Sequence, residues 1–245
     1  MVKIIVPYDE RQQVEMLGAI HDKGCSYFVP SELDINLFSR WNKPKLLTQI
    51  LGEDRTLGKN WLYVDLIPSS TWYTNVRSNI NAVDWERIKE MCKERANYRC
   101  ELCNSKANYS EKIFLECHER FLFDPTTRIQ KLARFVCMCT LCHQVTHYGL
   151  SQVQSREQIV FEHLKYVNRW NNERTQAHIK NRFDLWEQKN LIDWQVDLTL
   201  LDEMGIISEV EKVESCQDYD VEVSDDFISM DYAIGKLTGF AFGGF

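Results

Sequence analysis

The hydrophobic pattern opens with Lys3-Ile4-Ile5-Val6, an apolar stretch short enough for one strand. A helix pattern follows over Asp9 to Ala19 and ends near Gly18. A second strand is predicted at Tyr27-Phe28-Val29, between Gly24 and Pro30. Residues 1–44 thus read as a small βαβ-type module. Residues 45–83 read as a connector with a short helix around Leu46 to Leu51 and a strand over Trp61 to Pro68, an apolar run closed by proline. From Asp84, an N-cap by residue type, Trp85, Ile88, Met91, Cys92 and Arg95 recur at helical spacing.

Further along, Ser155 with Gln158 has the form of a capping box. Val160, Leu164, Val167 and Trp170 then give a helix an apolar face, and helical character continues to Trp186. Between Ile192 and Leu200 the pattern changes period: Ile192, Trp194, Val196, Leu198 and Leu200 alternate with polar residues, which predicts a half-buried strand. The expected fold class is α+β, with one principal domain over residues 84–200 and a tail over 201–245.

Charge changes this picture at two places. The chain of 245 residues has a formal net charge of −7, but Leu201 to Asp226 holds ten acidic residues and one lysine. The segment from Glu86 to Arg182 carries 17 Lys and Arg against 11 Asp and Glu, enough to accommodate a polyanion such as nucleic acid. The acidic tail suits a protein partner, or the chain's own basic surface. No apolar run reaches the length of about 18 residues that a membrane span needs. The opening MVKIIVPYDERQQ lacks the apolar core of a secretory signal. Nine cysteines, an odd number, then read as reduced thiols or metal thiolates in a cytoplasmic protein.

The cysteines are placed for a metal. Cys100-Glu101-Leu102-Cys103 and Cys139-Thr140-Leu141-Cys142 are two pairs in which a tight turn presents both sulfurs to one tetrahedral ion. Four thiolates close the coordination sphere, so this Zn2+ site is structural. Cys117 and Cys137 lie in apolar surroundings and read as core residues. His143 and His147 are four apart, so on a helix both project from one face, and His118 stands on a predicted strand from Ile113 to Arg120. A strand giving one imidazole and a helix giving two is a layout for a second divalent ion, Mg2+, Mn2+, Ni2+ or Zn2+. Glu116 shares the His118 face of that strand, and Glu119 falls on the opposite one unless the strand twists there.

The residues Arg99-Cys100-Glu101-Leu102-Cys103, Leu115-Glu116-Cys117-His118-Glu119 and Cys139-Thr140-Leu141-Cys142-His143, with His147 and Gly149, resemble the HNH endonucleases that carry structural zinc. The resemblance implies a treble clef with a ββα-metal site, His118, His143 and His147 as ligands of a catalytic-type ion, and hydrolysis of DNA phosphodiesters. It puts Glu119 where that family places its general-base histidine, with Glu116 as the competing carboxylate. Arg134 falls where the family commonly has Asn, and Gln130 is close by. The alternative is a zinc-stabilised module that binds nucleic acid or protein without cleaving. The N-terminal residues Val6-Pro7-Tyr8, Leu17-Gly18-Ala19, Tyr27-Phe28-Val29-Pro30 and Phe38-Ser39-Arg40-Trp41 resemble a small module appended to primase- and helicase-like proteins. Ile20 stands where that module usually has an aromatic residue. Its implication is company with nucleic acids.

Overall fold

A computed structural model describes residues 1–72 and 74–208. The fold is α+β, with two three-stranded sheets and a set of helices. Most of the acidic tail, residues 209–245, lies outside the described residues. Among the described residues, no helix is long and apolar enough to cross a membrane.

The N-terminal module is built from β1 (Val2–Ile5), α1 (Arg11–Met16), β2 (Ile20–His21) and β3 (Ser26–Val29). The sheet order is β1-β3-β2 and both pairings are antiparallel, so the module is βαββ. The βαβ expectation missed β2, a two-residue edge strand too short to leave a period. Gly18, at φ 95°, turns the chain out of the helix so that Ala19 N–H can donate to Val14 O. Ile4, Val6, Val14, Tyr27, Val29, Phe38 and Trp41 fill the module's core, which Val83 joins from the next helix.

That helix is α2 (Ala82–Arg95), and its cap is Asn81. The Asn81 carboxamide accepts from Asp84 N–H at 3.0 Å, while the Asp84 carboxylate is taken by Lys43 at 2.9 Å and Arg87 at 2.6 Å. The expectation that Asp84 caps the helix is therefore corrected by three residues. Asn81→Ala is expected to cost about 1 kcal/mol of stability, read by chemical denaturation. Ser155→Ala is expected to cost nothing measurable, because Ser155 sits at φ 56° before α5 (Glu157–Asn168) and caps nothing. The predicted capping box is thus absent.

The second sheet has β4 (Leu115–Asp124), β5 (Ile129–Cys139) and β6 (Gln195–Asp197) in that order. β4 pairs with β5 antiparallel, placing His118 opposite Val136 and Glu116 opposite Met138, with a bulge between Arg120 and Phe121. β5 runs parallel to β6. After β5 come α3 (Thr140–Thr146), α4 (Tyr148–Val153), α5 and α6 (Asn172–Lys189). Arg169, left-handed at φ 57°, divides the expected long helix into α5 and α6.

The β4–β5 ribbon separates two cores. Cys117, Phe135 and Cys137 pack with Ile88, Met91 and Cys92 of α2 on one side. Val136, Met138 and Cys139 pack with α3 and α5 on the other. The segment Trp61 to Pro68 lies along this second core, yet it forms no strand. Three of its backbone donors are satisfied by helices: Leu62 N–H by the Asn168 carboxamide, Val64 N–H by His178, and Asp65 N–H by Thr146 O. An extended, buried backbone needs partners for its polar groups, and here no neighbouring strand supplies them. The expected helix at Leu46 to Leu51 is likewise absent. The predicted strand over 192–200 shrinks to Gln195–Asp197, after which Thr199–Met204 turns as a 3-10 helix. Trp194, Val196, Leu198 and Leu200 are nevertheless all buried, and packing continues through Leu201 and Ile206.

Candidate metal centres

Cys100 and Cys103 sit on a knuckle that leaves α2 through two left-handed residues, Asn97 and Tyr98. Cys100 N–H donates to Ser105 O and Asn104 N–H to Cys100 O, which closes the turn. Glu101 fastens this knuckle to β5: its N–H donates to Cys137 O, and its carboxylate accepts from Cys137 N–H at 2.9 Å and Arg134 at 2.7 Å. Cys139 ends β5 and Cys142 lies in the first turn of α3. The four sulfurs fall within 4.8 Å of one another. Cys103 and Cys139 are 3.6 Å apart, against the separation of about 3.8 Å that a tetrahedron with Zn–S bonds of about 2.3 Å requires. The four cysteines can hold a zinc ion.

Hydrogen bonds from neighbouring thiols draw Cys103 down to about 4 and Cys139 lower still, while Cys100 and Cys142 are pushed up by the same neighbours. His163 of α5 joins them, its Nε2 at 3.2 Å from Cys142 Sγ. Burial opposes its charging, but hydrogen bonds to Cys103 and Cys139 prevail and raise it to about 9. Nothing in the sequence pointed to His163, because only the packing of α5 against α3 brings it there.

The second group is His118, His143 and His147, whose ligand nitrogens also lie within 4.8 Å of one another. His118 comes from β4, His143 from α3, and His147 from the junction of α3 and α4. His118 is only 4% exposed. Burial, together with the charges of His147, Arg120 and His143, holds it well below the ordinary imidazole range. Burial likewise lowers His147 to about 4, with His143 adding to the effect. Both rings are therefore neutral, the form that binds metal.

Two further details fit a cation. His143 Nδ1 lies 2.8 Å from a Glu116 carboxylate oxygen. That contact puts the ring proton on Nδ1 and leaves Nε2 an acceptor. His143 Nε2 and His147 Nε2 are 3.1 Å apart, close to the separation of about 3.3 Å expected for two imidazoles on one zinc ion. His118 Nε2 is buried with no hydrogen-bond partner. A buried polar atom left alone is costly unless a ligand completes it.

The remaining sequence expectations fall elsewhere. Glu119 is on the opposite face of β4 from His118, as the pleat dictates, and shares that face with Cys117 and Phe121 of the α2 core. Burial pushes its pKa up, against hydrogen bonds from the backbone N–H groups of Glu119 and Val76 and the charge of His143, which lower it. The bulge that could have redirected the strand comes only after Arg120. Among the described residues, the carboxylate within hydrogen-bond distance of these histidines is Glu116. Arg134 turns to Arg55 O at 2.9 Å, Leu57 O at 3.0 Å and Glu101, and Gln130 accepts from Thr71 at 2.6 Å. Both serve the fold, and neither joins the histidines.

No protein-family model matches the chain, and neither the curated proteins nor the solved structures include a match to it.

Proposed function

We propose that the chain is a metal-dependent, HNH-like endonuclease that hydrolyses phosphodiester bonds in DNA, with a treble-clef zinc site as its scaffold. The observation that carries this reading is the meeting of His118, His143 and His147 around one point, with Glu116 holding His143 and His118 Nε2 left without a partner. Three imidazoles would hold a divalent ion and leave coordination positions open for substrate and water. Such an ion, when bound, supplies charge stabilisation for the attacked phosphate and the leaving oxygen.

The chain's own residues do the rest. Glu116 fixes the tautomer and orientation of His143. It is half-exposed, and as the carboxylate in contact with the histidine cluster it takes over the proton-accepting role that the resemblance gave to Glu119. Burial disfavours its charge, but the hydrogen bond from His143 outweighs this and keeps it ionised at neutral pH. The positive balance between Glu86 and Arg182 suits a DNA partner.

The test is nicking of supercoiled plasmid by purified protein with Mg2+, Mn2+ or Ni2+. Cleavage that disappears in His147→Ala supports the reading, and cleavage equal in that variant ends it.

A second reading has its own observation. Glu119 lies on the opposite face of β4 from His118, and Arg134 is bonded to Arg55, Leu57 and Glu101, so the two other positions that the family uses make no hydrogen bond to the histidines. A zinc-stabilised module that binds nucleic acid or protein without cutting follows from that. It predicts zinc on the four cysteines and no second ion after metal soaking.

A further inference from the structure

Arg120 lies two residues beyond His118 on β4, one repeat of the pleat, and so on the same face. It is 1% exposed. Its Nη1 donates to the Asp65 carboxylate at 2.7 Å, and its guanidinium stacks on the Tyr63 ring at 3.9 Å. Asp65 is in turn held by its backbone N–H to Thr146 O, the carbonyl just before His147. The guanidinium is thereby pinned at two points beside the histidine centre, and its charge is felt at the rings of both His118 and His147.

Its remaining arm is the informative one. Arg120 Nη2 is buried and has no hydrogen-bond partner, and the same is true of His118 Nε2. The two buried orphans on one strand face are an arginine N–H donor and an imidazole nitrogen, which in its unprotonated form is a metal ligand. A cation satisfies the second but repels the first. The donor needs an oxygen, and leaving it bare forfeits the hydrogen bonds it would make to water. The charge balance also asks for an anion. Asp65 is shared between Arg120 and Arg182, the latter at 3.6 Å, and a divalent ion on three imidazoles would add further positive charge. Fixed guanidinium forks recognise phosphate oxygens through charge-assisted hydrogen bonds.

We propose that Arg120 Nη2 donates to an oxygen of a phosphate group bound to the metal of the three-histidine centre, so that Arg120 is a substrate-binding residue and the centre a phosphate oxyanion site. Asp65 and Tyr63 are its positioning residues. The proposal rests on the three-histidine metal site put forward above.

The probe is inorganic phosphate. Zinc is kept on the four cysteines, Co2+ is bound at the histidines, and the visible absorption bands of Co2+ are followed as phosphate is added. The wild type is expected to show a saturable change in the bands. Arg120→Lys is expected to weaken phosphate binding by about tenfold or more while the Co2+ remains bound, since it keeps one charge but loses the fork. If Arg120→Lys loses its zinc and with it the fold, Tyr63→Leu serves instead, because it frees the guanidinium and leaves the Asp65 pair. Bands that do not respond to phosphate in the wild type overturn the proposal, as does unchanged phosphate affinity in a folded variant. Failure of the wild type to bind Co2+ at the histidines would defeat the metal-site reading and this inference together. Binding of Co2+ with no phosphate response defeats this inference alone.

Discussion

Stripping the ion from Cys100, Cys103, Cys139 and Cys142 is expected to unfold the main domain rather than loosen a loop. Cys100, Cys139 and Cys142 are themselves buried among Val136, Met138, Val145 and Leu164, so the metal centre and the second core are one body. Through Glu101 the knuckle is clamped to β5 and to the buried Arg134. Without a cation, four thiols converge with nothing to hold them. Structural zinc contributes on the order of 10 kcal/mol in small domains, which is comparable with the whole stability of a typical fold. Cys139→Ser should act in the same way. Far-UV circular dichroism with a strong chelator, followed by zinc add-back, measures this. The expected result is loss of the cooperative thermal transition and its recovery with zinc. A cooperative melt that survives chelation would show that the cores stand without the ion.

Replacement of the histidine ligands should behave differently, because it removes chemistry and leaves the scaffold. His147→Ala is expected to lose plasmid nicking while keeping its zinc and its melting transition, since His147 lies at a helix junction and its ring faces the centre rather than the core. Glu116→Gln is expected to reduce nicking by about 10–100-fold through a misdirected His143, in the range found for partners of metal ligands, and more if proton transfer is also lost. Glu119→Gln is expected to nick like the wild type, because its carboxyl is spent on the α2 side of β4. The opposite ranking, with Glu119→Gln inactive and Glu116→Gln unaffected, would restore the base assignment that the HNH resemblance implies.

The cysteine cluster and the histidine cluster were legible in the sequence because their information is local. A pair of cysteines two residues apart, or histidines four apart on a helix, fixes direction within one turn. The alternation of side chains along a strand likewise sets the adjacent His118 and Glu119 on opposite faces. Contacts made across the fold were not legible. His163 reaches Cys142 from twenty-one residues away, and Arg120 owes its place to Asp65 and Tyr63, which lie on a segment without secondary structure. The run Trp61 to Pro68 looks like a strand because it is apolar and buried, but hydrophobicity cannot say whether its backbone meets another strand or the side chains of helices. Caps failed for a related reason. Asp84 and Ser155 have the right side chains, yet a cap is decided by backbone geometry, and Asn81 and the left-handed Ser155 settle it otherwise.

Elemental analysis of the wild type beside His143→Ala tests the central claim, that one domain carries a tetracysteine centre and a separate histidine centre. After metal soaking and desalting, the wild type is expected to hold about two ions per chain, and His143→Ala about one with its fold intact. About one ion in both proteins would contradict the account and leave a zinc scaffold without a second metal.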